Sequence, residues 1–423
     1  MRALLALLAC FGGGWAGAAW AAPAELQVLH WWTSASERRA ADGLAARLAA
    51  EGILWRDAAI PGGAGQGAGK VLRSRVLAGD APEATQMIGT TIAEWANIGL
   101  LLELDDVAVA GQWGQVLFPT VHQLVQHRGH VVAAPLGIHR VNLLFANRRL
   151  FDRHRLPPPR SWDEWEATAS ALQAAGVTPL ALSSEPWQVA TVFESLVLAG
   201  GGQALYRELF VQHDPRAATD PRVLEALQRL RTLKSWAGTR VAERPWTAAL
   251  QQLQRGEAAM MVMGDWAKGE LAAAGWAVGE QFFCIAVPGT AAHHLYSVDS
   301  FTMFAKDYTR SAAQERMAAL LMQPALQAEY NRSKGSVPPR RDADPAAMDA
   351  CARDSWTLFA RGEAVLAPSL VHRMATDEAS KDAIVAELHR FFINDQMPPA
   401  DVQRRLAAMF RVLPNRQVRS GAR

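Results

Sequence analysis

Cysteine is scarce in this chain, and charge of either sign is close to balanced. Three cysteines in 423 residues leave room for at most one disulfide, and 43 Lys and Arg against 41 Asp and Glu give a formal net charge of +2. A surface this near neutrality gives no reason to invoke nucleic acid or anionic membrane as a partner. Beyond the first two dozen residues no apolar run reaches the ~20 residues that span a bilayer. The usual enzyme signatures are missing too. There is no G-x-S-x-G elbow, no Walker A, no G-x-G-x-x-G opening a helix, no H-E-x-x-H and no C-x-x-C. Gly62 to Gly69 comes nearest to a phosphate loop, but Gly69-Lys70 leads into Val71 instead of Ser or Thr. His293-His294 are adjacent, a spacing at which two side chains rarely share one ion, so no metal is expected. A glycoside hydrolase, the remote alternative, needs two facing carboxylates about 5 to 9 Å apart, and no motif proposes such a pair. The sequence therefore predicts no enzyme, no cofactor and no metal site.

What is present begins at the first residue. Arg2 precedes an apolar run, Ala3-Leu4-Leu5-Ala6-Leu7-Leu8, and Ala19-Trp20-Ala21 supplies an A-x-A ending. That order describes a secretory signal peptide over residues 1–21, cleaved near Ala21. Glycines 12 to 14 interrupt the run and argue against a membrane anchor. The stretch before Cys10 is short for a lipoprotein signal, so Cys10 departs with the peptide. Without Arg2 the charge falls from +2 to +1. Only Cys284 and Cys351 then remain, either as one disulfide permitted by an oxidising compartment or as two buried thiols. About 400 mature residues exceed a single core and suggest two domains. Fifteen tryptophans are many for this length, and indole is a flat, rigid surface for the C–H face of a sugar.

Strand and helix patterns alternate along the chain. Glu25–His30 reads as a strand, and Ser34-Ala35-Ser36-Glu37 as a capping box opening a helix with Ala40, Leu44 and Leu48 on one face. Residues 53–60 and 84–88 read as further strands, 61–69 as a glycine-rich connection, and 70–78 and 91–97 as helices. Later, 131–145 is extended, Ser161 opens a second capping box, and 178–183, 258–263, 282–287 and 300–305 read as strands. The stretch from 187 to 198 reads as a helix, as does most of the chain from Arg310 onward. The rhythm predicts a mostly parallel, doubly wound α/β architecture in two lobes, with residues 413–423 as a flexible tail.

Two polar-aromatic segments, Trp31-Trp32-Thr33-Ser34-Ala35-Ser36-Glu37 and Gly264-Asp265-Trp266-Ala267-Lys268-Gly269, fall where such sheets bind ligands, at the carboxyl ends of strands. Three more, Ser297-Val298-Asp299-Ser300, Ser333-Lys334-Gly335-Ser336 and Pro368-Ser369-Leu370-Val371-His372, each place one charged or titratable residue at a turn. Singly, each has a structural explanation: Glu37 closes its capping box, Trp266 fills a core, Lys334 is solvated.

Together these segments, with Val76–Ala81, His139-Arg140-Val141-Asn142 and Trp187 followed by Thr191–Ser195, resemble the extracellular solute-binding proteins of carbohydrate ABC importers. The resemblance runs from about Leu26 to about Leu406 and is nearest to the periplasmic glucose/mannose-binding proteins. It implies a maltose-binding-protein-like clamshell, with residues 25–138 plus 293–336 in one lobe and 139–292 plus 337–412 in the other. Hinge crossings are implied near 137–143, 289–299 and 337–342. The resemblance further implies ligand contacts from Trp31, Trp32, Glu37, His139, Trp266, Asp299, Lys334 and His372, and a Cys284–Cys351 disulfide. Its implied setting is the periplasm, its ligand a small sugar, its partner an inner-membrane ABC permease, and its state a monomer. A sensor feeding a chemoreceptor or histidine kinase is the alternative role. One position departs from the family pattern. Gln86-Met87-Ile88-Gly89 has Ile88 where the resembling proteins carry a sugar-binding lysine, which marks Ile88 as a specificity position.

Overall fold

The computed structural model describes residues 23–62, 65–238, 241–305 and 308–413. The signal segment 1–21 and all but the first residue of the tail lie outside the described residues. Two sheets with helices against them, each around its own hydrophobic core, build a two-lobed α/β clamshell.

In the first sheet, strand Ala24–His30 lies between Ile53–Ala59 and Ala84–Ile88, parallel to both. Parallel neighbours need crossover connections, here helices Ala35–Ala50 and Gln66–Leu77. The second of these starts ahead of the predicted 70–78. Gly65 opens it at φ +71, so the glycines that read as a loop instead allow a tight entry. The sheet continues through His294–Met303, which is antiparallel to Ala84–Ile88 and to Ala134–Arg140 and parallel to Leu366–Pro368. Every residue of His294–Met303 is buried. The second sheet runs Phe282–Ala286, Leu143–Asn147, Ala258–Met263, Thr178–Leu180, and only its last pairing is parallel. The expectation of mostly parallel sheets therefore fails for this lobe. Alternation of strand and helix does not fix direction when strands return to the sheet from distant parts of the chain.

Strands or strand ends carry the chain from one core to the other between Ile138 and Val141, between Leu295 and Tyr296, and between Leu366 and Ala367, and memberships also alternate at Cys351 and Ala352 and around Met374. The stretch 337–366, expected in the second lobe, contributes Val337, Leu358, Phe359, Val365 and Leu366 to the first core. Cys284, on an edge strand of the second sheet, is bonded to Cys351, one residue before Ala352 of the first core. Both cysteines pack in the second core, and the disulfide ties its edge strand to helix Ala350–Phe359, whose Ala352, Leu358 and Phe359 belong to the first. No helix among the described residues is long and apolar enough to cross a membrane.

Candidate functional site

A cleft of about 420 Å³ is lined from both lobes. Trp31, Glu37, Ile88, Asp299 and Lys334 reach it from the first, and Trp266 and His372 from the second, with His139 at a crossing. These residues span more than three hundred positions of sequence, and strand ends bring them together.

Glu37 has two tasks. Its Oε2 accepts from the backbone N–H groups of Thr33 and Ser34, both at 3.1 Å, which is the half of the capping box that satisfies the helix entrance. Its Oε1 accepts from Lys334 Nζ at 2.7 Å. Burial pushes this carboxyl up, but the Lys334 charge and the two backbone donors outweigh it and hold Glu37 below its usual range. Lys334 ends helix Pro324–Lys334, and Gly335 follows at φ +94. A Cβ on Gly335 would lie 2.2 Å from the Asp265 carbonyl oxygen, so only glycine lets this turn press against the segment carrying Asp265 and Trp266.

Asp299 is held by Gln86 Nε2 at 3.1 Å and by His139 Nε2 at 3.2 Å, while His139 Nδ1 meets Asp265 at 2.5 Å. Burial works against a charge on His139, but the two flanking carboxylates prevail and raise it to about 9. Burial likewise opposes the charge on Asp299, and His139 and Lys334 overcome it, bringing Asp299 down to about 2. At neutral pH the site is therefore a set of fixed charges. His139 lines the cleft with both nitrogens engaged, so the contact expected of it reduces to fixing Asp265 and Asp299.

Trp266 begins helix Trp266–Ala273 at the end of strand Ala258–Met263. Its ring lies against His372, His139 and Trp187, at centroid distances of 5.2, 5.5 and 6.4 Å. A Cβ on Gly264 would fall 2.2 Å from the indole, so that glycine gives the ring its seat. Burial drives His372 down to about 3, with the His139 charge adding to the effect, so His372 is neutral. Trp31 is half-buried against Gly65, where a Cβ would come within 2.9 Å of the indole.

Trp32 is the clear miss. It is fully buried and packs on Phe301, Tyr330 and His30, so it belongs to the first core and does not line the cleft. Successive side chains at a strand end point to opposite faces, and the pair Trp31-Trp32 cannot both face one ligand. Two tryptophans absent from the expected contact set line the cleft instead. Trp187 opens helix Pro186–Phe210, and its Nε1 donates to Glu185 at 2.8 Å, while Trp246 opens helix Trp246–Arg255. Both follow a proline, Pro186 and Pro245, and a Pro-Trp pair at a helix entrance is the signal that would have found them.

Among the described residues one group could hold a cation by ligand spacing, Glu103, Asp105 and His130, all at the surface and outside the cleft lining. His130 Nδ1 is already bonded to Asp105 at 2.6 Å.

A two-lobed fold with a polar-aromatic cleft defines the class of extracytoplasmic solute receptors. Residues 34–321 match the bacterial extracellular solute-binding protein family, and the chain belongs to it. It is 36% identical over 386 residues to a "Probable sugar-binding periplasmic protein" of Brucella suis biovar 1 (strain 1330), covering 91% of each chain. A protein of the same description from Rhizobium meliloti (strain 1021) is 36% identical over 370 residues, 87% of this chain and 89% of that one. Among solved structures, the fold is similar to the bacterial solute receptor AcbH, with a TM-score of 0.78 at 18% identity over 95% of this chain and 100% of that one. It is similar also to the maltose-bound T. maritima MalE3, with a TM-score of 0.76 at 17% identity over 92% and 100%. By its family the chain is a solute-binding protein.

Proposed function

We propose that the chain is a periplasmic sugar-binding protein that delivers a mono- or small oligosaccharide, glucose- or mannose-like, to an ABC permease in the inner membrane. The observation that carries this reading is the cleft itself. Indole faces at Trp31, Trp187, Trp246 and Trp266 surround buried, already ionised acceptors and a donor at Glu37, Asp299 and Lys334. Indoles suit the apolar face of a pyranose, and charged hydrogen-bonding groups suit its hydroxyls. The names carried by the relatives of Brucella and Rhizobium agree with a sugar.

In this reading the protein is exported by its signal peptide and acts as a monomer. The sugar contacts both lobes and stabilises the closed form by hinge motion. The hinge comprises the strand crossings at 138–141, 295–296 and 366–367. No chemistry occurs, and no cofactor or metal is used. Ile88 pairs directly across from Asp299, so its methyl groups occupy the spot beside Asp299 where a lysine would donate. The preferred sugar therefore lacks, substitutes or hydrates the hydroxyl that such a lysine would bind. Titration calorimetry against a panel of mono- and disaccharides tests the proposal. Micromolar binding, about −8 kcal/mol, to at least one sugar is expected, and a folded protein that binds none would refute it.

A further inference from the structure

Behind His372 lies a buried hydrogen-bond chain that the sugar-binding reading does not use. Ser369 Oγ stands 2.9 Å from Glu194 Oε1 and 2.9 Å from His372 Nδ1, and it accepts from the His372 backbone N–H at 3.2 Å. Glu194 Oε2 accepts from Leu370 N at 2.7 Å and lies 2.8 Å from the Tyr206 hydroxyl. That hydroxyl is also 2.8 Å from the Pro368 carbonyl oxygen. All these groups are buried, and among the described residues no cation pairs with Glu194. We propose that Glu194 is a positioning residue that sets, through Ser369, which ring nitrogen of His372 carries the proton, and so whether His372 offers the cleft an acceptor or a donor. The proposal rests on the reading of the cleft as the sugar site only for its consequence on binding.

Ser369 has one hydroxyl proton and two demands on it. With Glu194 ionised, that proton goes to Glu194 Oε1, and Tyr206 donates to Oε2. Ser369 Oγ is then purely an acceptor toward His372, which must carry its ring proton on Nδ1 and turn a bare Nε2 to the cleft it lines. When Glu194 gains a proton from solvent, its Oε1–H donates to Ser369 Oγ and Tyr206 turns to the Pro368 carbonyl. Ser369 then donates to His372 Nδ1, and the ring proton, exchanged through water, resides on Nε2. From His372 Nδ1 through Ser369 and Glu194 to Tyr206 both arrangements give every donor an acceptor, and the second turns the Nε2–H of His372 to the cleft.

The first state needs a charge on a deeply buried carboxyl, which makes the choice sensitive to pH. Burial raises Glu194 to about 7, against hydrogen bonds from Tyr206, Ser369, Leu370 and Val371. Tyr296, on strand His294–Met303, faces the Tyr206 hydroxyl. His372 is faced by His139, Asp299, Arg373 and Lys381, and it stays neutral through this range because burial and the His139 charge depress it to about 3. The titration therefore switches the tautomer of His372, not its charge.

The test is a long-range proton–nitrogen NMR spectrum of histidine-labelled full-length protein from pH 5.5 to 8.5, with His372 assigned by its loss in His372→Gln. The expected result is an Nε2–H tautomer at the acid end and Nδ1–H at the basic end. Glu194→Gln, whose amide donates to Ser369 as the protonated acid does, should show Nε2–H throughout, and Ser369→Ala should show no change with pH. Calorimetry with D-glucose at both pH limits should give affinities differing by about two- to tenfold in the native protein and equal in Glu194→Gln. A folded native protein whose His372 keeps one tautomer across the range overturns the proposal. So does a pH effect on affinity of equal size in native protein and Glu194→Gln. Should the tautomer switch while neither D-glucose nor any other sugar of the panel binds, the positioning role stands and the sugar reading fails.

Discussion

The two walls of the cleft are built on opposite principles. On the first-lobe side every charged group has a protein partner: Glu37 with Lys334, and Asp299 with Gln86 and His139. On the second-lobe side the working surface is a ring, Trp266, seated over Gly264 and bordered by His372, His139 and Trp187. A buried charge that loses its partner is left desolvated and uncompensated, whereas an indole has no charge to orphan. The polar wall thus ties ligand recognition to folding stability, and the aromatic wall separates them.

The largest expected effect comes from breaking the polar wall. Lys334→Ala leaves the Glu37 carboxylate buried without its cation, which should destabilise the protein by about 3 to 5 kcal/mol. Chemical denaturation measures this, and a change confined to sugar affinity would show that the pair is not structural. A pH scan probes the same wall. His139 keeps its proton to about 9 when folded and loses it near 6.5 when unfolded. Its contribution to stability is accordingly complete below about 6.5 and disappears as pH rises through about 9. The melting temperature should fall across that window, and His139→Gln should remove that part of the slope.

The aromatic wall should respond the other way. Trp266→Ala is expected to cost about 2 kcal/mol or more in sugar affinity, roughly twentyfold or more, in a protein that still folds. A collapsed melting transition would make Trp266 a core residue first. The smallest effect sharpens the polar wall instead of breaking it. Ile88→Lys, placed beside Asp299, should reorder the sugar panel toward glucose or mannose by about tenfold, the worth of one charge-assisted hydrogen bond. An unchanged ranking would remove Ile88 from the specificity-setting positions.

Much of this contrast was legible in the sequence where signals were local. Ala84–Ile88 and Ala258–Met263 are short apolar runs bounded by turn residues, and both strands fall where the pattern put them. Glu37 was legible as a capping residue, and its second bond to Lys334 was not, because 297 positions separate them. The first half of His294–Met303 did not read as a strand. Its polar residues Ser297 and Asp299 suggested a turn, yet the strand is buried, with Asp299 bonded to Gln86 and His139. Trp32 failed for a geometric reason, since strand alternation sends it into the core. Trp187 entered only as a mark of the family resemblance, and no motif read from the sequence singled out Trp246.

Whether both walls grip one sugar is decided by calorimetry of the native protein beside Trp266→Ala and Ile88→Lys with the same set of monosaccharides. One-site binding of at least one sugar by the native protein is expected, with roughly twentyfold or greater weakening in Trp266→Ala and a changed order of preference in Ile88→Lys. Equal affinities across all three folded proteins, or no binding by the native one, would contradict it.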